Sequence, residues 1–139
     1  MAVLFIKLNV PYDEVGNLVF SALGFSNFAE SETTFNTKGY YFTVDILGLS
    51  VKVEENCYDC EEQYNCIISI EKSRGTKLTN DIALEGVAEV VASVLVAKLK
   101  TEVVLELEMR IMEQDPYKHK IFYYENDEVH TEIRTYPNK

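Results

Sequence analysis

The chain has 139 residues, 47% hydrophobic and 26% charged, with 23 Asp and Glu against 13 Lys and Arg for a net charge of −10. That length and apolar content exclude a disordered chain and match one domain, residues 1–139, with a hydrophobic core of its own. The charge argues against a nucleic-acid backbone or an anionic membrane surface as partner, and it would steer a basic protein inward.

Ala2 to Asn9 carries apolar residues on both faces, the pattern of a central strand. Pro11 suits the first residue of a helix, and Asp13 and Glu14 follow in its first turn, where the helix dipole favours them. Val15, Leu18, Val19, Ala22 and Leu23 recur at helical spacing, and Gly24 is a natural stop. A short strand is expected near Glu32 to Phe35. Tyr40 to Leu47 and Leu49 to Glu54 read as strands joined at Gly48, as a tight turn or a bulge. Glu55 to Gln63 is an acidic loop, and Tyr64 to Glu71 is another strand, ended by Arg74 and Gly75.

Thr79, Asn80 or Asp81 caps a helix from about Ile82 to Lys100. Asp81, Glu85, Glu89 and Ser93 make its one polar stripe, so the helix should be buried against a sheet or a second copy of the chain. Val103, Leu105, Leu107, Met109 and Ile111 alternate with Glu106, Glu108 and Arg110, which predicts a strand with one wet face. After a turn at Asp115 and Pro116, Lys118 to Glu125 and Val129 to Tyr136 form a hairpin about Asn126 and Asp127. The fold class that follows is α+β, a predominantly antiparallel sheet with two main helices packed on it. The apolar start is short and lacks a basic leader, and the longest apolar stretch carries Glu85, Glu89 and Lys98. The expectation is therefore a cytoplasmic protein without a membrane span.

Three groups of residues invite a chemical reading. Cys57 and Cys60 have the spacing of a metal or redox pair, with Cys66 as a third thiol, but no histidine lies near in sequence and a strand follows where a redox site would start a helix. His119 and His130 fall on facing strands of the expected hairpin and could hold a metal with Glu128 or Glu132. Neither group completes a metal site, and no nucleophile motif, phosphate loop or paired-carboxylate site stands out. The expectation is no enzyme and no cofactor. The third group is the acidic run with interleaved tyrosines: Glu54, Glu55, Tyr58, Asp59, Glu61, Glu62 and Tyr64. Carboxylates there would pair with a partner's Arg and Lys, and the tyrosines would add rigid contact area.

Two resemblances bear on function. Glu30-Ser31-Glu32, Lys38-Gly39-Tyr40-Tyr41-Phe42, Leu47-Gly48-Leu49 and the strand Asn65 to Ile70 resemble, in texture, the small acidic immunity proteins of bacterial polymorphic and contact-dependent growth-inhibition toxin systems. That resemblance implies a protein that binds and neutralises a cognate toxin domain. The order strand, helix, three strands, taken twice, resembles the glyoxalase and bleomycin-resistance fold. Leu23-Gly24-Phe25 fits that family's habit, and Glu132 matches its metal-binding Glu. Phe5, Ile6 and Lys7 stand where its first-strand ligand would be. A third reading is a dimeric secretion chaperone, with Ile82 to Leu99 as the dimer interface.

Overall fold

The computed structural model describes residues 1–58, 62–73, 81–107 and 117–136, without the side chains of 81–83, 117 and 136. Two helices and eight strands follow in the order β1 (Ala2–Ile6), α1 (Tyr12–Ala22), β2 (Ala29–Glu32), β3 (Tyr40–Ile46), β4 (Leu49–Glu55), β5 (Cys66–Lys72), α2 (Asp81–Leu99), β6 (Val103–Leu107), β7 (Tyr117–Glu125) and β8 (Glu128–Tyr136). The strands make one sheet in the order β2-β3-β4-β5-β1-β6-β7-β8, with every neighbouring pair antiparallel. This is the expected α+β architecture. The sequence order strand, helix, three strands does occur twice, but the pairing does not repeat. β1 lies between β5 and β6, while its counterpart β5 lies between β4 and β1.

The central place of β1 explains its composition. One of its faces sits in a row of residues running Phe42, Val53, Ile68, Leu4, Leu105, each 0 or 1% exposed. α1 and α2 cover this face, contributing Val15, Val19, Phe20, Leu84, Ala88, Ala92, Leu95 and Val96 to the same core. Full burial of each such large side chain stabilises the fold by roughly 1.5–3 kcal/mol before the entropy of ordering it.

Local chemistry sets the element ends. Pro11 stands just before the first helical residue of α1, and its carbonyl accepts from the Glu14 N–H at 2.9 Å. Gly24, at φ +91°, ends the helix in a Schellman motif: the Phe25 N–H reaches the Phe20 carbonyl and the Gly24 N–H reaches that of Ser21. Phe25 and Phe20 pack edge to face across this turn. Leu47 and Gly48, both at positive φ, form the two-residue turn between β3 and β4, so Gly48 makes a tight turn and not a bulge. Asn126 and Asp127 do the same between β7 and β8.

Three expectations need correction. The second strand lies at Ala29–Glu32, ahead of Glu32 to Phe35, because Asn36 and Gly39 fold residues 33–39 into a turn of their own. β4 runs through Glu55, one residue beyond the expected strand end at Glu54, so Glu55 is a strand residue and not part of the loop. The second face of the sheet is not wet throughout, since Val104, beside Glu106, is 1% exposed. Helix α2 packs on the sheet and on α1, and Glu89 reaches across to an ion pair with Lys120 of β7. Among the described side chains of that helix the most exposed apolar one is Val90, outside the Glu85–Glu89–Ser93 stripe. Arg74, Gly75, Thr79, Asn80, Asp115, Pro116 and the stretch from Glu108 to Ile111 lie outside the described residues. Among the described residues no helix is long and apolar enough to cross a membrane.

Candidate functional site

The sheet face opposite the helices carries a second, smaller core. A row of cross-strand partners runs Glu54, Ile67, Phe5, Val104, Ile121, Glu132. Its four apolar members are 1–4% exposed and pack with Val3, Tyr64 and Tyr123; no helical residue belongs to this cluster. A carboxylate stands at each end of the apolar row. The parallel row from Thr43 through Lys52 and Ser69 to Val3 is mixed in polarity.

A cleft of about 390 Å³ opens on this face. Val3, Phe5 and Ile67 form its apolar floor, and Lys52, Glu54, Ser69 and Glu106 supply polar groups. Phe35 and Tyr58 line it as well, although they are 81% and 61% exposed. Large aromatic side chains left in water at the mouth of a cleft are typical of contact surfaces.

Both rim aromatics are held by local hydrogen bonds. The Thr33 N–H closes the 33–39 turn on the Gly39 carbonyl at 3.0 Å, and Thr33 Oγ1 accepts from the Phe35 N–H at 3.1 Å. Asn36 Oδ1 accepts from the N–H groups of Lys38 and Gly39. Thr37 binds Glu55, which fastens the whole turn to the end of β4. On the other side Asn56 donates to the Tyr64 carbonyl at 2.7 Å and accepts from the Tyr58 N–H at 3.0 Å. Asn65 exchanges two hydrogen bonds with the backbone of Leu8, both 2.8 Å. Side-chain amides that copy backbone pairing are why these polar positions hold a defined shape.

The residues singled out in the sequence separate into different settings. Glu54 is 9% exposed and lines the cleft. Glu55 is tied to Thr37 and accepts from the Cys57 thiol at 3.0 Å. Tyr58 is exposed at the rim, and Glu62 is exposed. The Tyr64 hydroxyl donates to Glu102, and its ring packs 6.3 Å from Phe5. Asp59, Glu61 and Cys60 lie outside the described residues. Cys66 is buried on the helix face, where burial first and the Glu55 charge second push its thiol up to about 11.

The two histidines do not meet. His119 pairs with Arg134 and His130 with Tyr123, a separation of four strand residues or about 13 Å. His130 stacks on Tyr123 and bonds the Glu125 carbonyl, His119 packs 6.1 Å from Phe5, and Glu132 accepts from Arg134. Among the described residues, no three His, Cys, Asp or Glu are grouped to hold a metal ion.

Sequence reasoning missed Phe35 and Lys52, and the asparagines Asn36 and Asn56 whose hydrogen bonds hold the segments carrying Phe35 and Tyr58. Asn36 and Gly39, three apart, were the available signal for a turn that projects Phe35. Comparison of the chain with family models, curated proteins and solved structures returned no match to any of them.

Proposed function

We propose that this chain is a stoichiometric inhibitor of the immunity-protein kind, acting in the cytoplasm by covering a basic toxin domain with its helix-free sheet face. The observation that carries this reading is the cleft itself: an apolar floor, exposed Phe35 and Tyr58 at its mouth and carboxylates in its wall, on a protein of net charge −10. Exposed aromatics beside buried apolar surface supply binding energy, and the negative field raises the rate of encounter with a basic partner. The reading needs no catalytic group. Co-expression with the product of the adjacent gene tests it: the two should co-purify at equal stoichiometry, and this chain should relieve that protein's toxicity. If neither happens, the reading fails.

A second reading is favoured by the size of the cleft. About 390 Å³ lies within the range of small-ligand sites, and the mix of apolar floor and few polar groups is common to them. On that reading the chain binds a small amphipathic molecule, and Phe35→Ala would weaken the ligand without affecting any protein partner.

A further inference from the structure

We propose that Glu54 is the acceptor for an arginine side chain of the protein partner, which enters the open-face cleft past Phe35 and Tyr58. This deepens the partner-binding reading and rests on it.

The starting point is an imbalance around one carboxylate. Glu54 is 9% exposed, yet its one hydrogen bond comes from Asn36 Nδ2 at 3.5 Å, the outer limit of such a bond. That same amide is shared with the Tyr40 carbonyl at 3.2 Å. Oε1 of Glu54 receives no donor, and no Lys, Arg or His nitrogen approaches either oxygen within 4 Å among the described residues. Its neighbour Glu55, less buried, is supplied by Thr37, Cys57 and Lys38. Glu54 Oε1 is not sealed inside the protein but open to the cleft, so a ligand seated there can supply the donors that the protein does not.

Lys52 would be the natural internal partner, two residues away on the same face. Its ammonium instead sits over the Tyr41 ring, 4.5 Å from the centroid. The negative charge of Glu54 is thereby left facing the cleft. What surrounds it suits an amphipathic cation. Val3, Phe5 and Ile67 offer an apolar floor for a methylene stem, and Glu54 takes the charged head. Arginine is the better match than lysine because the exposed rings of Phe35 and Tyr58 can face its planar guanidinium, which is also the more weakly hydrated cation. An anionic ligand would meet the wrong sign of charge.

The test titrates the ¹⁵N-labelled full chain with N-acetyl-arginine amide and, separately, with N-acetyl-citrulline amide, its neutral isostere. The arginine probe should shift the amide signals of Glu54, Ile67 and Ser69 saturably, and the citrulline probe should bind at least about tenfold more weakly. Glu54→Gln should abolish that difference while keeping the thermal midpoint. Phe35→Ala, at an exposed position, should weaken arginine with the fold intact. Equal binding of the two probes, shifts confined to Glu62 and other exposed acids, or an unaltered Glu54→Gln titration would each overturn the proposal. The two levels separate cleanly. If Glu54→Gln leaves binding of the adjacent gene's product unchanged, the inhibitor reading stands and the arginine acceptor falls. If the arginine probe behaves as expected and that product never binds, the inhibitor reading falls alone.

Discussion

Thr37 holds Glu55 through two of its groups: its hydroxyl reaches both carboxylate oxygens, at 2.5 and 2.8 Å, and its backbone N–H donates to Oε1 at 3.1 Å. Burial alone would raise the Glu55 carboxyl, but hydrogen bonds from Cys57 and Thr37, with Lys38 nearby, outweigh it and hold the group below its usual value. A carboxyl lowered on folding contributes stability that is complete above the ordinary glutamate value of about 4.3. That contribution is lost as the pH falls through the lower folded value. Glu55→Gln should therefore cost about 1–2 kcal/mol at pH 7. The gap from wild type should narrow in acid, below about pH 4. Urea unfolding at pH 7 and pH 3 reads both.

Gly16 and Gly86 should respond in opposite directions to alanine. A Cβ at Gly16 would lie 2.5 Å from Phe42 Cγ and 2.9 Å from its Cβ, and Phe42 is fully buried. Overpacking costs about 1–3 kcal/mol and should exceed the helix-propensity gain of up to about 1 kcal/mol. A Cβ at Gly86 meets nothing within 4 Å, so only the propensity gain remains. Thermal melts should place Gly16→Ala below wild type and Gly86→Ala above it.

Leu47 combines two unfavourable features, a φ of +51° and 90% exposure at the tip of the β3–β4 turn. A left-handed conformation costs an L residue about 1–2 kcal/mol, and asparagine tolerates it far better. Leu47→Asn should raise stability by about 1 kcal/mol. A lower thermal midpoint would show that Leu47 makes a contact worth more than its backbone strain.

Cys66 should resist thiol reagents in the folded protein. It is 2% exposed and its thiol is pushed up to about 11, so little thiolate exists at pH 8. Cys57 is only half-buried, with its thiol donating to Glu55. Peptide mapping after brief iodoacetamide treatment should find Cys57 modified and Cys66 intact, with Cys66 reacting only after denaturation.

Periodicity made the fold class readable. The alternation in β6, the hairpin at Asn126 and Asp127, and the two-faced apolar pattern of β1 each reflect burial set by neighbours along one strand or helix. The cleft was harder to see, because its parts come from distant segments. Val3, Lys52, Ile67 and Phe35 share no local pattern, and only the sheet register brings them together. The register also divides the acidic run. Clustered carboxylates in sequence resemble a hydrated loop, yet strand alternation sends Glu54 to one face and Val53 to the other, and Glu55 is drawn into the end of the ladder. The histidines failed on register: facing strands do not make facing residues.

The position of β1 also governs how the protein must fold. Leu4 is flanked by Ile68 and Leu105, so the middle strand of the sheet is bonded only to partners remote in the chain. β2 to β5 and β6 to β8 are each a run of adjacent hairpins that can pair locally. They become one sheet only when β1 slots between them, a step with a large loop-closure cost that should limit the rate. Until then the facing edges of β5 and β6 are unpaired, and that interval is when the chain is most prone to pair with a neighbouring molecule.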